Sequence, residues 1–90
     1  MLFVVAYDIP DDARRTRLAK ELENWGQRAQ YSVFECDLDQ ARADVMIDRL
    51  RELTGPEDQL RVYRLCEACV RESVNVRGPG FEHDPDFYQV

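Results

Sequence analysis

The stretch LFVVAYD, Leu2 to Asp8, is β-branched, aromatic and apolar at odd and even positions alike until its last residue. A strand that faces water on one side alternates apolar with polar residues, whereas one covered on both sides does not. These seven residues therefore predict a central strand with two buried faces. Ile9 and Pro10 end it, and Asp11 and Asp12 supply an N-cap and first-turn negative charge for a helix. Leu18, Leu22 and Trp25 come next at i, i+4 and i+7, with Ala19 beside them, as one apolar stripe. Gly26 is a natural residue to stand just past the helix end.

QRAQYSVFECDL, Gln27 to Leu38, mixes aromatic and β-branched residues with polar ones and holds no Gly, Pro or Asn. Its composition predicts one long strand, with a tight two-residue hairpin as the alternative. Asp39 then caps a second helix whose Ala43, Met46, Ile47, Leu50 and Leu53 keep helical spacing, stopped by Thr54, Gly55 and Pro56. Gln59 to Leu65 reads as a further strand. A CEAC turn and a short alternating strand, Val70 to Val76, come next. The order fits an α+β, ferredoxin-like split βαβ sheet over residues 1–76, with two helices on one face and an extra C-terminal strand. Residues 77–90, rich in Gly and Pro, are expected to be a tail whose aromatics dock on a partner chain. Because the first strand is apolar on both sides, the face away from the helices also needs cover. A second copy stacked sheet to sheet supplies it, so the pattern predicts a homodimer.

Ninety residues make one small domain. The apolar run Met1 to Tyr7 is too short to span a bilayer, and no basic region precedes it, so neither a membrane role nor a signal peptide is expected. Three cysteines cannot all pair in one chain, and a reducing cytoplasm is the simplest setting. The net charge of −6 argues against indiscriminate nucleic-acid binding, yet eleven of the twelve basic residues are arginine, whose planar fork suits phosphate.

Three constellations could carry chemistry. Asp8 ends an apolar central strand, where a carboxylate either caps the next turn or presents a functional group. In a two-fold dimer it would face its own copy, and two close carboxylates call for a proton or a cation such as Mg2+ between them. Arg14, Arg15 and Arg17 occupy the first helical turns and Arg28 opens the next segment. They form either a solvated face paired with Glu21 and Glu23, or a seat for an anion near the helix start. Cys66 and Cys69 have zinc-knuckle or redox spacing, but only Cys36 and His83 remain to complete a zinc site. A redox CxxC opens a helix, whereas a strand is expected here, which favours a turn with two buried thiols. There is no P-loop, Rossmann glycine run or nucleophilic triad.

The motifs YDI, DD, RR-x-R, G-x-R-x-QYSVFEC-x-L and R-x-Y-x-LC-x-x-C, in that order between Leu2 and Val76, resemble the CRISPR-associated Cas-two family. That resemblance implies a ferredoxin-like homodimer with stacked sheets and a hairpin within Gln27 to Leu38. It implies that Asp8 binds Mg2+ at the dimer interface, and that phosphodiesters of single-stranded RNA or double-stranded DNA are cleaved. Tyr7 and Asp8 match the metal-site strand. Arg15, Arg17 and Arg28 match basic positions linked to nucleic acid, and Ser32 and Phe34 match the next strand. The family also implies a partner, the Cas-one integrase, whose dimers such proteins bridge while holding DNA. Three functions stand as expectations: a metal-dependent endonuclease in spacer acquisition, a non-catalytic DNA scaffold, and a ferredoxin-like thiol- or metal-binding regulatory module.

Overall fold

The computed structural model describes residues 1–77. The elements are β1 (Leu2–Asp8), α1 (Asp12–Glu23), β2 (Gln27–Gln30), β3 (Val33–Asp37), α2 (Gln40–Glu52), β4 (Gln59–Leu65) and α3 (Glu67–Glu72). Four strands form one antiparallel sheet in the order β2-β3-β1-β4, so β3 is inserted between β1 and β2 and β1 between β3 and β4. This is the split βαβ arrangement, with β1 central as its apolar sequence requires. Both helices begin as expected. Asp11 and Asp39 cap them, accepting from the Arg14 and Arg42 amides at 2.8 Å.

Phe3, Val5 and Tyr7 of β1 share one face of the sheet with Phe34 and Cys36 of β3. Against them pack Leu18, Ala19 and Leu22 of α1 and Ala43, Met46 and Leu50 of α2. Both helices therefore lie on one face. Leu2, Val4, Ala6 and Asp8 point to the other, beside Tyr63 and Leu65 of β4. Leu2 is buried there, but Val4 and Ala6 stay half-buried and Tyr63 is 48% exposed. The second face of β1 is thus apolar and only partly covered by its own chain.

The segment Gln27 to Leu38 is a hairpin, and the single strand suggested by its composition is not formed. Residues 31 and 32 turn the chain, and a register shift between Arg28 and Gln30 bends β2. The Tyr7 N–H donates to the Ser32 carbonyl at 3.1 Å, so the turn residue continues the β1–β3 ladder. Gly26 is needed for close approach rather than for ending α1, whose last cap is Asn24. A Cβ there would lie 2.8 Å from the Cys36 Cα and closer still to the Glu35 carbonyl oxygen.

The expected strand over Val70 to Val76 is likewise replaced, by α3 and four irregular residues. Glu67 and Ala68 favour helix, and Val70 is the single buried residue of that turn. Ser73 closes it, its Oγ donating to the Cys69 carbonyl at 2.7 Å. The apolar alternation that suggests a strand leaves Val74 and Val76 exposed. The tail expected to dock on a partner lies, past Arg77, outside the described residues. Among those described, no helix is long and apolar enough to cross a membrane.

Arg14 has a structural role. It reaches across to the loop before β4, donating to Asp58 at 2.9 and 3.0 Å and to Glu57 at 3.2 Å. Asp58 also accepts from the Gly55 amide at 2.7 Å. The Arg14 guanidinium, then this amide, hold its carboxyl below the usual range. A depressed folded value contributes stability above the ordinary carboxylate pKa, about 4, and that contribution fades as pH falls through the lower folded value. The Asp58→Asn variant should therefore melt earlier than wild type at pH 7, with the difference shrinking below about pH 4. Thermal melts across that range check this; a constant gap would contradict it.

Candidate nucleic-acid interface and free carboxylate

Successive residues of a strand point to opposite faces, and this separates the residues that looked contiguous in sequence. Asp8 ends β1 on the bare face, opposite Gln59 of β4. It is exposed, and its side chain makes no hydrogen bond or ion pair among the described residues. The alternative role as a cap falls to Asp11, with Asp12 in the first turn. No three His, Cys, Asp or Glu side chains cluster to hold a metal among the described residues.

Tyr7 points the other way, into a cleft of about 260 Å³ that α1 forms with the β2–β3 hairpin. Arg15, Lys20, Glu23, Arg28 and Tyr31 also line it. Arg15 enters from α1, donating to the Ile9 carbonyl at 2.9 Å and pairing with Asp12. Arg28 enters from β2, its guanidinium carbon 5.2 Å from the centre of the Phe34 ring, a cation–π contact. Tyr7 stacks on the same ring, with centroids 6.4 Å apart and planes at 28°, and its hydroxyl donates to the Tyr31 carbonyl at 3.5 Å. Burial raises the Tyr7 phenol, opposed by the positive charge of Arg28 and Arg15, so it stays neutral at physiological pH. Arg15, Lys20 and Arg28 against Glu23 and the Arg15-paired Asp12, beside a Tyr31 that is 75% exposed, make a surface suited to a phosphate and an adjacent base.

The remaining expectations are redistributed. Phe34 is fully buried, so it cannot touch a nucleic acid; it supports Arg28 and Tyr7 from beneath. Arg17 is exposed on α1, away from the cleft and without a partner among the described residues. Ser32 sits half-buried in the hairpin turn. Glu21 pairs with Arg49 of α2 at 2.9 Å and accepts from the Trp25 indole at 2.8 Å, so it does not neutralise the α1 arginines. Sequence spacing does not single out Lys20 or Tyr31. Lys20 faces the cleft only because α1 is rotated to bury Leu18 and Leu22. The sulfurs of Cys66 and Cys69 are exposed, where two buried thiols were expected. Cys36 is in the core, its thiol pushed up to about 11 by burial, and His83 lies outside the described residues.

The fold and this arrangement define a ferredoxin-like α+β protein with a cleft lined by Arg15, Lys20 and Arg28 on its helical side and Asp8, unpaired among the described residues, on its bare side. The family model for CRISPR associated protein Cas2 matches residues 1–73. A Synechocystis protein named "CRISPR-associated endoribonuclease Cas2 3" is 52% identical over 65 residues, covering 71% of each chain. A Thermus thermophilus structure described as hypothetical protein TT1823 superposes with a TM-score of 0.74 at 44% identity, covering 88% of this chain and 92% of that one. Streptococcus pyogenes Cas2, crystallised at pH 6.5, gives 0.72 at 29% identity, covering 86% and 100%. The chain belongs to the CRISPR-associated Cas2 family.

Proposed function

We propose that this chain acts in CRISPR spacer acquisition as a homodimeric, Mg2+-dependent endonuclease cutting phosphodiesters of single-stranded RNA or double-stranded DNA. The observation that carries the reading is Asp8, a solvent-facing, unpartnered carboxylate at the edge of an incompletely covered apolar sheet face. Stacking two copies through that face buries Val4, Ala6 and Tyr63 and brings a second Asp8 to the site. One chain offers no metal cluster among its described residues, but Mg2+ takes only one or two carboxylates and completes its shell with water and phosphate oxygens, so the paired acids fit it. Bound there, Mg2+ would supply Lewis-acid polarisation of the phosphate and a more acidic water.

The chain's own residues do the rest. Arg15, Lys20 and Arg28 hold phosphates near the hairpin without reading sequence, and Tyr31 offers its ring to a base. Phe34 keeps Arg28 and Tyr7 in place. The name of the Synechocystis relative supports RNA as a substrate.

A second reading is a non-catalytic scaffold that grips duplex DNA and bridges dimers of the Cas-one integrase. Its supporting observation is the sparse acid site: among the described residues no three His, Cys, Asp or Glu side chains cluster to hold a metal, while Arg15, Lys20 and Arg28 line a cleft suited to phosphate. The test sets purified protein against single-stranded RNA and double-stranded DNA, with Mg2+ and with EDTA. Cleavage of either that EDTA abolishes supports the endonuclease. Duplex binding with no cleavage in either buffer supports the scaffold instead, and cleavage undiminished by EDTA removes Mg2+ from the mechanism.

A further inference from the structure

We propose that Cys66 and Cys69 are a reversible dithiol–disulfide pair, oxidised by low-molecular-weight disulfides such as oxidised glutathione. Residue composition favours a strand after CEAC, and a strand there speaks against a redox role. The structure puts a helix in its place: β4 ends at Leu65 and α3 begins at Glu67, so the two cysteines bracket its first turn.

Both thiols are exposed and their sulfurs lie 3.4 Å apart. A disulfide bond is about 2.05 Å long, so closing it needs the sulfurs to approach by roughly 1.3 Å, within reach of side-chain rotation on a surface turn. The side-chain hydrogen bond joins the two sulfurs to each other. The two are also chemically unlike. The Cys69 backbone N–H, then the Cys69 thiol, hold the Cys66 thiol below its usual value, whereas Cys66 raises that of Cys69. This asymmetry makes Cys66 the attacking sulfur and Cys69 the resolving one. Cys36 is a built-in control, buried in the core and inert.

The exchange runs in two balanced steps. The Cys66 thiolate attacks one sulfur of R–S–S–R, that bond breaks, and RS⁻ leaves and takes up the proton Cys66 gave. Cys69 then loses its proton and attacks the Cys66 sulfur of the mixed disulfide, expelling a second RS⁻ that accepts this proton. The protein loses two electrons and the small disulfide gains them as two thiols. This chemistry is independent of any nuclease activity.

The experiment equilibrates the full chain in glutathione buffers of graded thiol-to-disulfide ratio, then applies alkylation, thiol counting and peptide mapping. Three free thiols in reducing buffer should fall to one, Cys36, with an intrachain Cys66–Cys69 link that reverses on adding reduced glutathione. The Cys69→Ser variant should stop at a glutathione adduct on Cys66. The Cys66→Ser variant should react with the disulfide about tenfold more slowly than wild type or worse. Three thiols persisting in excess oxidised glutathione, links formed only between chains, or Cys36 reacting as fast as Cys66 would each overturn the proposal.

Discussion

Replacing Asp8 with Asn should lower Mg2+-dependent cleavage by about a hundredfold or more without lowering the melting temperature. Metal stabilisation of a phosphoryl transition state is worth several kcal/mol, and each 1.4 kcal/mol is about a factor of ten, so losing the carboxylate that holds the metal costs at least two such factors. Stability should not fall, because the Asp8 side chain is exposed and has no partner within the described chain, and its loss relieves the repulsion between the paired acids. Asn keeps the shape and removes the charge. Cleavage assays paired with thermal melts read both effects; equal cleavage by the two proteins would remove Asp8 from the mechanism.

The largest stability effect belongs to Phe34→Ala. Phe34 is fully buried where β3 meets β1, in contact with the Tyr7 ring and the Arg28 guanidinium. Truncating a buried Phe costs about 3–5 kcal/mol, out of a total near 5–15 for a domain of this kind. The variant should therefore melt well below wild type, with an unfolded fraction that grows toward 37 °C. The folded remainder should also bind nucleic acid less well, because Tyr7 and Arg28 lose the ring that positions them. Denaturant titration monitored by circular dichroism measures the first effect; a loss under about 1 kcal/mol would mean that Phe34 does not anchor this corner of the sheet.

Much of the fold can be read from residue pattern. The apolar doublet of faces in Leu2 to Asp8 places β1 at the centre, and Asp11 and Asp39 mark both helix starts. The hairpin is hidden because Tyr31 and Ser32 turn the chain without Gly, Pro or Asn, so composition leaves it as an alternative and the family resemblance decides for it. Val70 to Val76 misleads because its alternation is real, but Val70 is buried by helical geometry, not by strand pleating. The same alternation obscures the cysteine pair, because CEAC before a strand and CEAC opening a helix carry different chemistry. For the site, sequence proximity sets the Asp8 and arginine constellations next to each other. Strand alternation instead sends Tyr7 and Asp8 to opposite faces, and tertiary pairing withdraws Arg14 to Asp58, a partner 44 residues away.

Sedimentation of the wild type beside Val4→Asp, with cleavage measured on the same samples, tests subunit pairing through the bare sheet face. Val4 lies mid-strand on that face, half-buried in one chain and far from the cleft side. The wild type should sediment as a dimer that cuts; Val4→Asp should be a folded monomer that does not cut, although its Asp8 is intact. A wild-type monomer that cleaves, or a Val4→Asp monomer as active as the parent, would contradict the pairing on which the shared acid site depends.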